Sequence, residues 1–318
     1  MIKKIVLSVF VAFVMTFTIF LLFQLTLQNE IYSIQKDFYS QNFEHQSKKI
    51  FLIGSSHVGQ INATHIEEYV SKKSQAYEVY NLADTADKPK SRLNSLNKII
   101  SLKPDVVVYG IGYRDFTEPE KMLKENILPN PQSIFERIFS IELYGINTEF
   151  FENPKLNTLK ILQGIIGIKT LVSDSIFEEN TPFYPYHKTK TDIIVKQSEI
   201  QENDFHVEKL ILKPNIENTQ VQALNKIISE LEKNNIKVII FITPHNKFYR
   251  DSLSVDTKEG FNLLISKLAQ NHNIKIFNFI DSYDNLEIWR STNHISHNPK
   301  SSIYSEDIAK IIVEELNN

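Results

Sequence analysis

The sequence predicts a doubly wound α/β domain built on a parallel sheet, preceded by one apolar N-terminal span. Three observations carry this. Short β-branched runs alternate with amphipathic helical patterns over much of the chain, which is the rhythm of a sheet wrapped by helices. The run Asp105-Val106-Val107-Val108-Tyr109-Gly110-Ile111-Gly112 is almost continuously apolar, as a central strand buried on both faces must be. Residues 5–27 form an uncharged apolar stretch behind Lys3 and Lys4, long enough to cross a bilayer.

In chain order, residues 1–29 read as an uncleaved signal anchor. The two lysines before the apolar stretch keep the N-terminus cytoplasmic and send the rest of the chain outside. A cleavable signal peptide fits less well, because the apolar core is long and no small-x-small site follows it. Residues 30–47 read as a juxtamembrane linker, and the domain occupies 48–318. Its first strand, Ile50 to Ile53, ends in Gly54-Ser55-Ser56-His57. Val58, Ile61, Ile66, Tyr69 and Val70 then recur at helical spacing. A second strand runs from Tyr77 to Leu82, and a helix is marked by Leu93, Leu96, Ile99, Ile100 and Leu102. The third strand is the Asp105 to Gly112 run. From about residue 117 to 205 the rhythm breaks under Pro119, Pro129, Pro131, Pro154, Pro182 and Pro185. That stretch reads as a helical insertion above the sheet. The α/β alternation then resumes. A helix spans Val221 to Asn234, a strand Lys237 to Pro244, a helix Phe261 to Asn271 and a strand Ile274 to Ile280. A polar loop from Asp281 to Asn298 leads to a last helix, Ser305 to Leu316.

Composition narrows the function. The 318 residues carry a net charge of -3 with no arginine cluster, so the chain has no electrostatic footprint for nucleic acid. It contains no cysteine, which excludes a thiol nucleophile, a disulfide framework and cysteine-ligated metal. The pair His294-x-x-His297 lacks a third ligand at a recognisable spacing. Neither a metal nor a cofactor is expected.

Parallel strands bring their carboxyl ends to one edge, where ligands bind. Ser56 follows the first strand, and the Asn81 to Asp87 loop follows the second. Gly112 to Asp115 follows the third, His245 the fourth, and the Asp281 to His297 loop the fifth. A serine and a histidine that meet across this edge make a nucleophile and its base. Other readings compete. Ser55 or Ser56 also reads as only a helix cap in this pattern, and His297 and His245 rival His294 as the base. Arg114 suits an ion pair with Asp115 or Asp87. Arg290 either stacks on Trp289 or binds an anionic substrate group. Asn62-Ala63-Thr64 fits a glycosylation sequon but falls on a helical pattern, so it reads as a chance match.

Three short blocks in order resemble the SGNH (GDSL-type) hydrolases. Gly54-Ser55-Ser56 resembles their first block, Gly-Asp-Ser. Gly112-Tyr113-Arg114-Asp115 resembles the third, Gly-x-Asn-Asp, and Asn293-His294 resembles the end of the last, Asp-x-x-His. The resemblance covers about residues 48–116 and 220–316. It implies a flavodoxin-like three-layer α/β/α sandwich and ester chemistry through an acyl-serine. It also implies Ser56 as nucleophile and His294 as base. Oxyanion donors are implied at Ser56, in the loop from Ala83 to Ala86, and near Gly112 and Arg114. Departures are visible. Ser55 stands where the family has aspartate, Arg114 where it has asparagine, and Ser291 where it has the last-block aspartate. Asp281 or Asp284 is the candidate to orient the histidine instead, or the site runs as a Ser–His dyad.

The expected function is a membrane-anchored extracytoplasmic serine esterase acting on an ester-bearing small molecule or a cell-surface glycan. An O-acyltransferase shares the acyl-enzyme and stays open. So does a catalytically silent SGNH-fold protein that binds a glycan or an envelope partner. The oligomeric state is not legible.

Overall fold

The structure is a computed structural model. It describes residues 11, 14–16, 18, 38–41, 43, 47–84, 87–116, 193–196, 200 and 218–317. The chain divides into two units, Met1–His45 and Gln46–Asn318. In the first, residues 11, 14–16 and 18 are helical, and Val11, Val14 and Met15 are exposed. Phe38 packs edge-on against Tyr39 and Phe43. Among the described residues no helix is long and apolar enough to cross a membrane. Most of the expected anchor (1–29) and most of the expected insertion (117–205) lie outside the described residues.

The second unit is the α/β domain. Its strands are β1 (Lys48–Gly54), β2 (Tyr77–Asn81), β3 (Val106–Ile111), β4 (Lys237–Ile242) and β5 (Ile276–Asn278). They form one parallel sheet in the order β2-β1-β3-β4-β5. Its helices are α1 (Ala63–Lys73), α2 (Pro89–Ser101), α3 (Thr219–Lys233), α4 (Lys247–Ser252), α5 (Val255–His272) and α6 (Ser302–Asn317). After β2 the chain crosses back over β1 to lay down β3. The switch point therefore lies between β1 and β3, which opens a crevice at their carboxyl ends.

Both faces of the sheet are covered, which explains the unbroken apolar strands. Ile50, Leu52, Val106, Val108, Ile239 and Phe241 join one core with Ile66 and Val70 of α1 and Ile308 and Ile312 of α6. The alternate positions Phe51, Ile53, Val107, Tyr109 and Ile240 are equally buried and face the other side. There α2 packs on α3. The domain is thus the expected three-layer sandwich. At the opposite edge of β1, Asp105 accepts the Lys49 N–H at 2.8 Å, and the Asp105 N–H bonds the Lys49 carbonyl at 2.9 Å.

Three local expectations are corrected. The helix after Ser56 does not start there: Val58–Gln60 is a 3-10 turn, and α1 begins at Ala63 under an Asn62 cap. Asn62 Oδ1 accepts the His65 N–H at 2.8 Å, so this asparagine has a structural task at the sequon. Second, α4 follows β4 immediately, capped by Asn246, and α5 starts at Val255 under Ser254, well before Phe261. Third, β5 is confined to Ile276–Asn278. In the stretch read as an insertion, the Val195 N–H bonds the Trp289 carbonyl at 2.8 Å, and Ile200 belongs to the core.

Asn81 explains the first correction. Fully buried at the end of β2, it donates from Nδ2 to the carbonyls of Val58 and Ile61, each at 2.9 Å. Those carbonyls are drawn toward Asn81, and the chain turns tightly instead of continuing into a helix. Asn81→Ala would strip the side-chain partner from the Ile61 carbonyl and the Ala83 N–H and leave the Val58 carbonyl with the Ile61 N–H alone. We expect a loss of about 2–4 kcal/mol, read as a lowered urea midpoint at unchanged slope.

Candidate active site

The site assembles at the switch-point edge, and β1 sets its first member. Gly54 ends the strand at φ +141°, and a Cβ there would stand 2.6 Å from the Gly110 carbonyl oxygen. Only glycine accepts both that conformation and that approach. The chain then turns through Ser55 and Ser56 into the 3-10 turn held by Asn81. Ser56 is left partly exposed at the mouth.

His294 arrives from the far end of the chain on a tight hairpin. Trp289 and Ile295 form an antiparallel bridge. The Arg290 and Ser291 N–H groups bond the His294 carbonyl at 2.9 and 3.3 Å, and the Ser296 N–H bonds the Ile288 carbonyl at 2.7 Å. The almost fully buried Trp289 anchors the hairpin, and its indole N–H donates to the Tyr283 carbonyl at 3.2 Å.

The two ends meet. Ser56 Oγ lies 2.8 Å from His294 Nε2. His294 Nδ1 lies 3.2 Å from Ser291 Oγ, and the Ser291 hydroxyl donates to Asn293 Oδ1 at 3.1 Å. A serine has one proton to give. With that proton on Asn293, Ser291 can only accept from His294, so Nδ1 carries the hydrogen. Nε2 is left as a lone pair facing the Ser56 hydroxyl, the tautomer that a general base requires. His297, the rival base, is buried and makes no such contact with Ser56.

Neither carboxylate suggested from the sequence orients the histidine. Asp284 pairs with Arg250, Asp281 is exposed, and Nδ1 is taken by Ser291. Both aspartates precede Trp289, outside the hairpin that presents His294. The charges acting on His294 are cationic. Burial pushes its pKa down to about 3, helped by the Arg290 and Arg114 guanidinium groups and by His245. The base is therefore neutral at physiological pH, and among the described residues no carboxylate stands against its Nδ1.

Two further histidines complete the wall. The His57 ring stacks on His294, with centroids 4.7 Å apart and planes 13° apart. His57 Nδ1 is 3.1 Å from Ser55 Oγ. Behind it lies His245, 4.9 Å from His57 between centroids. His245 Nδ1 donates to the Thr243 carbonyl at 2.9 Å, and its ring also stacks on Tyr249. Burial lowers both, His57 well below the usual range and His245 to about 4. Gly112 makes room for this wall, since a Cβ there would stand 2.8 Å from His245 Cε1.

The oxyanion donors differ from expectation. The Ala83 N–H is spent on Asn81 Oδ1 at 3.1 Å, and the Asp84 N–H on the Gly54 carbonyl at 3.1 Å. The Gly112 N–H is spent on Asp115 Oδ2 at 2.6 Å. Asp115 is buried, which raises its pKa to about 7 against the lowering effect of that N–H. Ala83 and Gly112 thus shape the site without offering an amide to it. Ala86 lies outside the described residues. The Ser56 N–H makes no hydrogen bond within the described residues. Arg114, on the 3-10 turn Tyr113–Phe116, stands close enough to lower all three histidines. Among the described residues the Ser56 N–H is thus the backbone donor left at the mouth, and Arg114 adds positive charge beside it. The sequence places His57 beside the nucleophile and offers His245 as a cleft-lining residue or rival base; the stacking of both rings, and the roles of Ser291 and Asn81, are what it does not assign. Among the described residues no cluster of three or more His, Asp or Glu could hold a metal ion.

No protein-family model matches the chain, and no curated protein matches it. Solved structures similar to it include an acetyl xylan esterase, AlAXEase, at 14% identity, covering 83% of this chain and 99% of that one with a TM-score of 0.43. A lipase/acylhydrolase from Enterococcus faecalis is similar at 13% identity, 85% and 95% coverage and a TM-score of 0.43. A GDSL-like lipase from Bacteroides thetaiotaomicron is similar at 9% identity, 91% and 98% coverage and a TM-score of 0.43. Likeness at this level assigns neither a family nor an activity to this chain.

Proposed function

We propose that this chain is a serine ester hydrolase of SGNH type, held at a membrane by its N-terminal apolar segment with the α/β domain on the outer side. The observation that carries the reading is the 2.8 Å contact from Ser56 Oγ to a His294 whose tautomer is fixed by Ser291. Ser56 attacks the ester carbonyl as its proton passes to His294 Nε2. The carbonyl π electrons move to oxygen, where the Ser56 N–H donates to the developing charge and the nearby positive charge of Arg114 favours it. The tetrahedral intermediate collapses, and His294 returns the proton to the departing alcohol. Water then repeats the sequence on the acyl-serine, so the acid is released and Ser56 is regenerated. The motif order that resembles SGNH hydrolases supports the same assignment. Turnover of 4-nitrophenyl acetate by the full-length protein tests it, with Ser56→Ala as the control. Release of nitrophenol that the control lacks is the expected result. Equal release by both would overturn the reading.

The histidines set the pH behaviour. His294 must be neutral to act, and its lowered pKa keeps it so through the neutral range. An ordinary histidine would be about three-quarters protonated at about pH 6, whereas kcat/KM here should stay level from about pH 8 to that point. A group whose folded pKa is depressed contributes stability that is complete above its unfolded pKa and is lost as pH falls below it. His57, His245 and His294 all act in that direction. Asp115 and Asp87, which burial raises to about 7 and about 6, act the other way and add stability as pH falls, so circular dichroism recorded beside the rates separates loss of the fold from protonation of His294.

A further inference from the structure

The His57 ring has no place in the proton transfers above, yet it is built into the site. It follows Ser56 directly, is almost wholly buried, and lies flat against His294 at 4.7 Å. Its other neighbours fix it in turn. Ser55 Oγ holds Nδ1 at 3.1 Å, the Tyr304 hydroxyl reaches the His57 carbonyl at 3.4 Å, and His245 backs the ring at 4.9 Å. The His245 ring is locked by its bond to the Thr243 carbonyl and by Tyr249. A chain of packed rings therefore runs from the end of β4 to the base.

This matters because His294 lacks a carboxylate. An aspartate on Nδ1 normally fixes the imidazole plane with a strong bond. Ser291 offers one neutral hydrogen bond at 3.2 Å, which sets the tautomer but leaves the ring able to pivot about it. A flat ring pressed against one face blocks that pivot and keeps water from that face. We propose that His57 is a positioning residue: stacked on His294, it holds the base in plane for Ser56 and keeps it dry. The proposal rests on the serine-hydrolase reading for its kinetic consequence, but the stacking can be read without turnover.

His57 is faced by Ser55 on its own turn, His294 and the Asn293 carbonyl on the hairpin, His245 after β4, and Arg114 after β3. Among the described residues no acid stands against it, so the ring is neutral and its role is one of shape. A flat apolar ring should then serve nearly as well.

The experiment compares wild type, His57→Ala and His57→Phe in the full-length protein. Each is assayed with 4-nitrophenyl acetate across pH and by NMR titration of the His294 imidazole. His57→Ala should lower kcat about 100-fold, the scale of an ångström of misplacement, with KM little changed. Water admitted to His294 should let it titrate near an ordinary histidine value of about 6.5, so an acid limb appears in the range of about pH 6 to 8 where the wild-type profile is level. His57→Phe should recover most of kcat and abolish that limb. If His57→Ala keeps wild-type kcat and a His294 that does not titrate above about pH 5, the proposal is overturned. If His57→Phe is as slow as His57→Ala, the flat-face role is wrong. If wild type turns over no ester, the hydrolase reading fails, and the His294 titration in the three proteins still decides the stacking.

Discussion

Replacing His294 with alanine is expected to slow ester hydrolysis by about four orders of magnitude or more. The serine hydroxyl is a poor nucleophile while it keeps its proton. Among the described residues the only base within reach of Ser56 is His294 Nε2 at 2.8 Å. Ser56→Ala should cost as much. The double variant should be no slower than either single one, because the two groups act as one unit and the residual rate belongs to the binding site alone. Additive losses would mean that the two residues act in separate steps. Initial rates with 4-nitrophenyl acetate, with circular dichroism to confirm folding, decide this.

The second large effect runs the other way. Ser291→Asp should raise kcat about tenfold to a hundredfold. When Ser56 gives up its proton, His294 becomes an imidazolium. Its Nδ1 then faces a neutral hydroxyl, and the nearby charges on Arg290 and Arg114 oppose the new charge. A carboxylate at residue 291 would receive the Nδ1–H, offset both guanidinium charges and favour the imidazolium that the transition state contains. The Asn293 amide, now an acceptor for the Ser291 hydroxyl, would turn its NH₂ toward the carboxylate. The pH profile should carry the same signature. The His294 pKa would rise from about 3, so an acid limb would enter the accessible range. The sign is fixed, since a nearby anion favours the protonated base. A rate that falls with Ser291→Asp while the fold persists would show that a neutral partner is required.

The sequence was most legible where one residue type has one use. The strands were visible because both faces are buried, and their ends listed the crevice residues in order. Ser56 and His294 stood out as the serine and histidine of two short motifs at the first and last of those ends. What depended on cross-chain geometry was less legible. The absence of an acid at residue 291 suggested Asp281 or Asp284 as a substitute. The Trp289 hairpin instead places Ser291 itself against Nδ1. The sequence offers the amides of Ala83 and Gly112, but the Asn81 and Asp115 side chains take them. The turn after Ser56 looked helical because its apolar spacing is helical, while Asn81, from another strand, captures its carbonyls. The start of α5 was hidden because Val255 is exposed, so its first turn shows no apolar periodicity. The stacked histidines lie far apart in sequence, at residues 57, 245 and 294, and only the sheet edge brings them together.

The central claim is that Ser56 is an activated nucleophile. The most direct measurement is reaction of the full-length protein with a fluorophosphonate probe, followed by intact mass and peptide mapping. One covalent adduct on Ser56, absent in Ser56→Ala and strongly slowed in His294→Ala, is the predicted result. No adduct on folded wild-type protein, or an adduct on Ser55 instead, would contradict it.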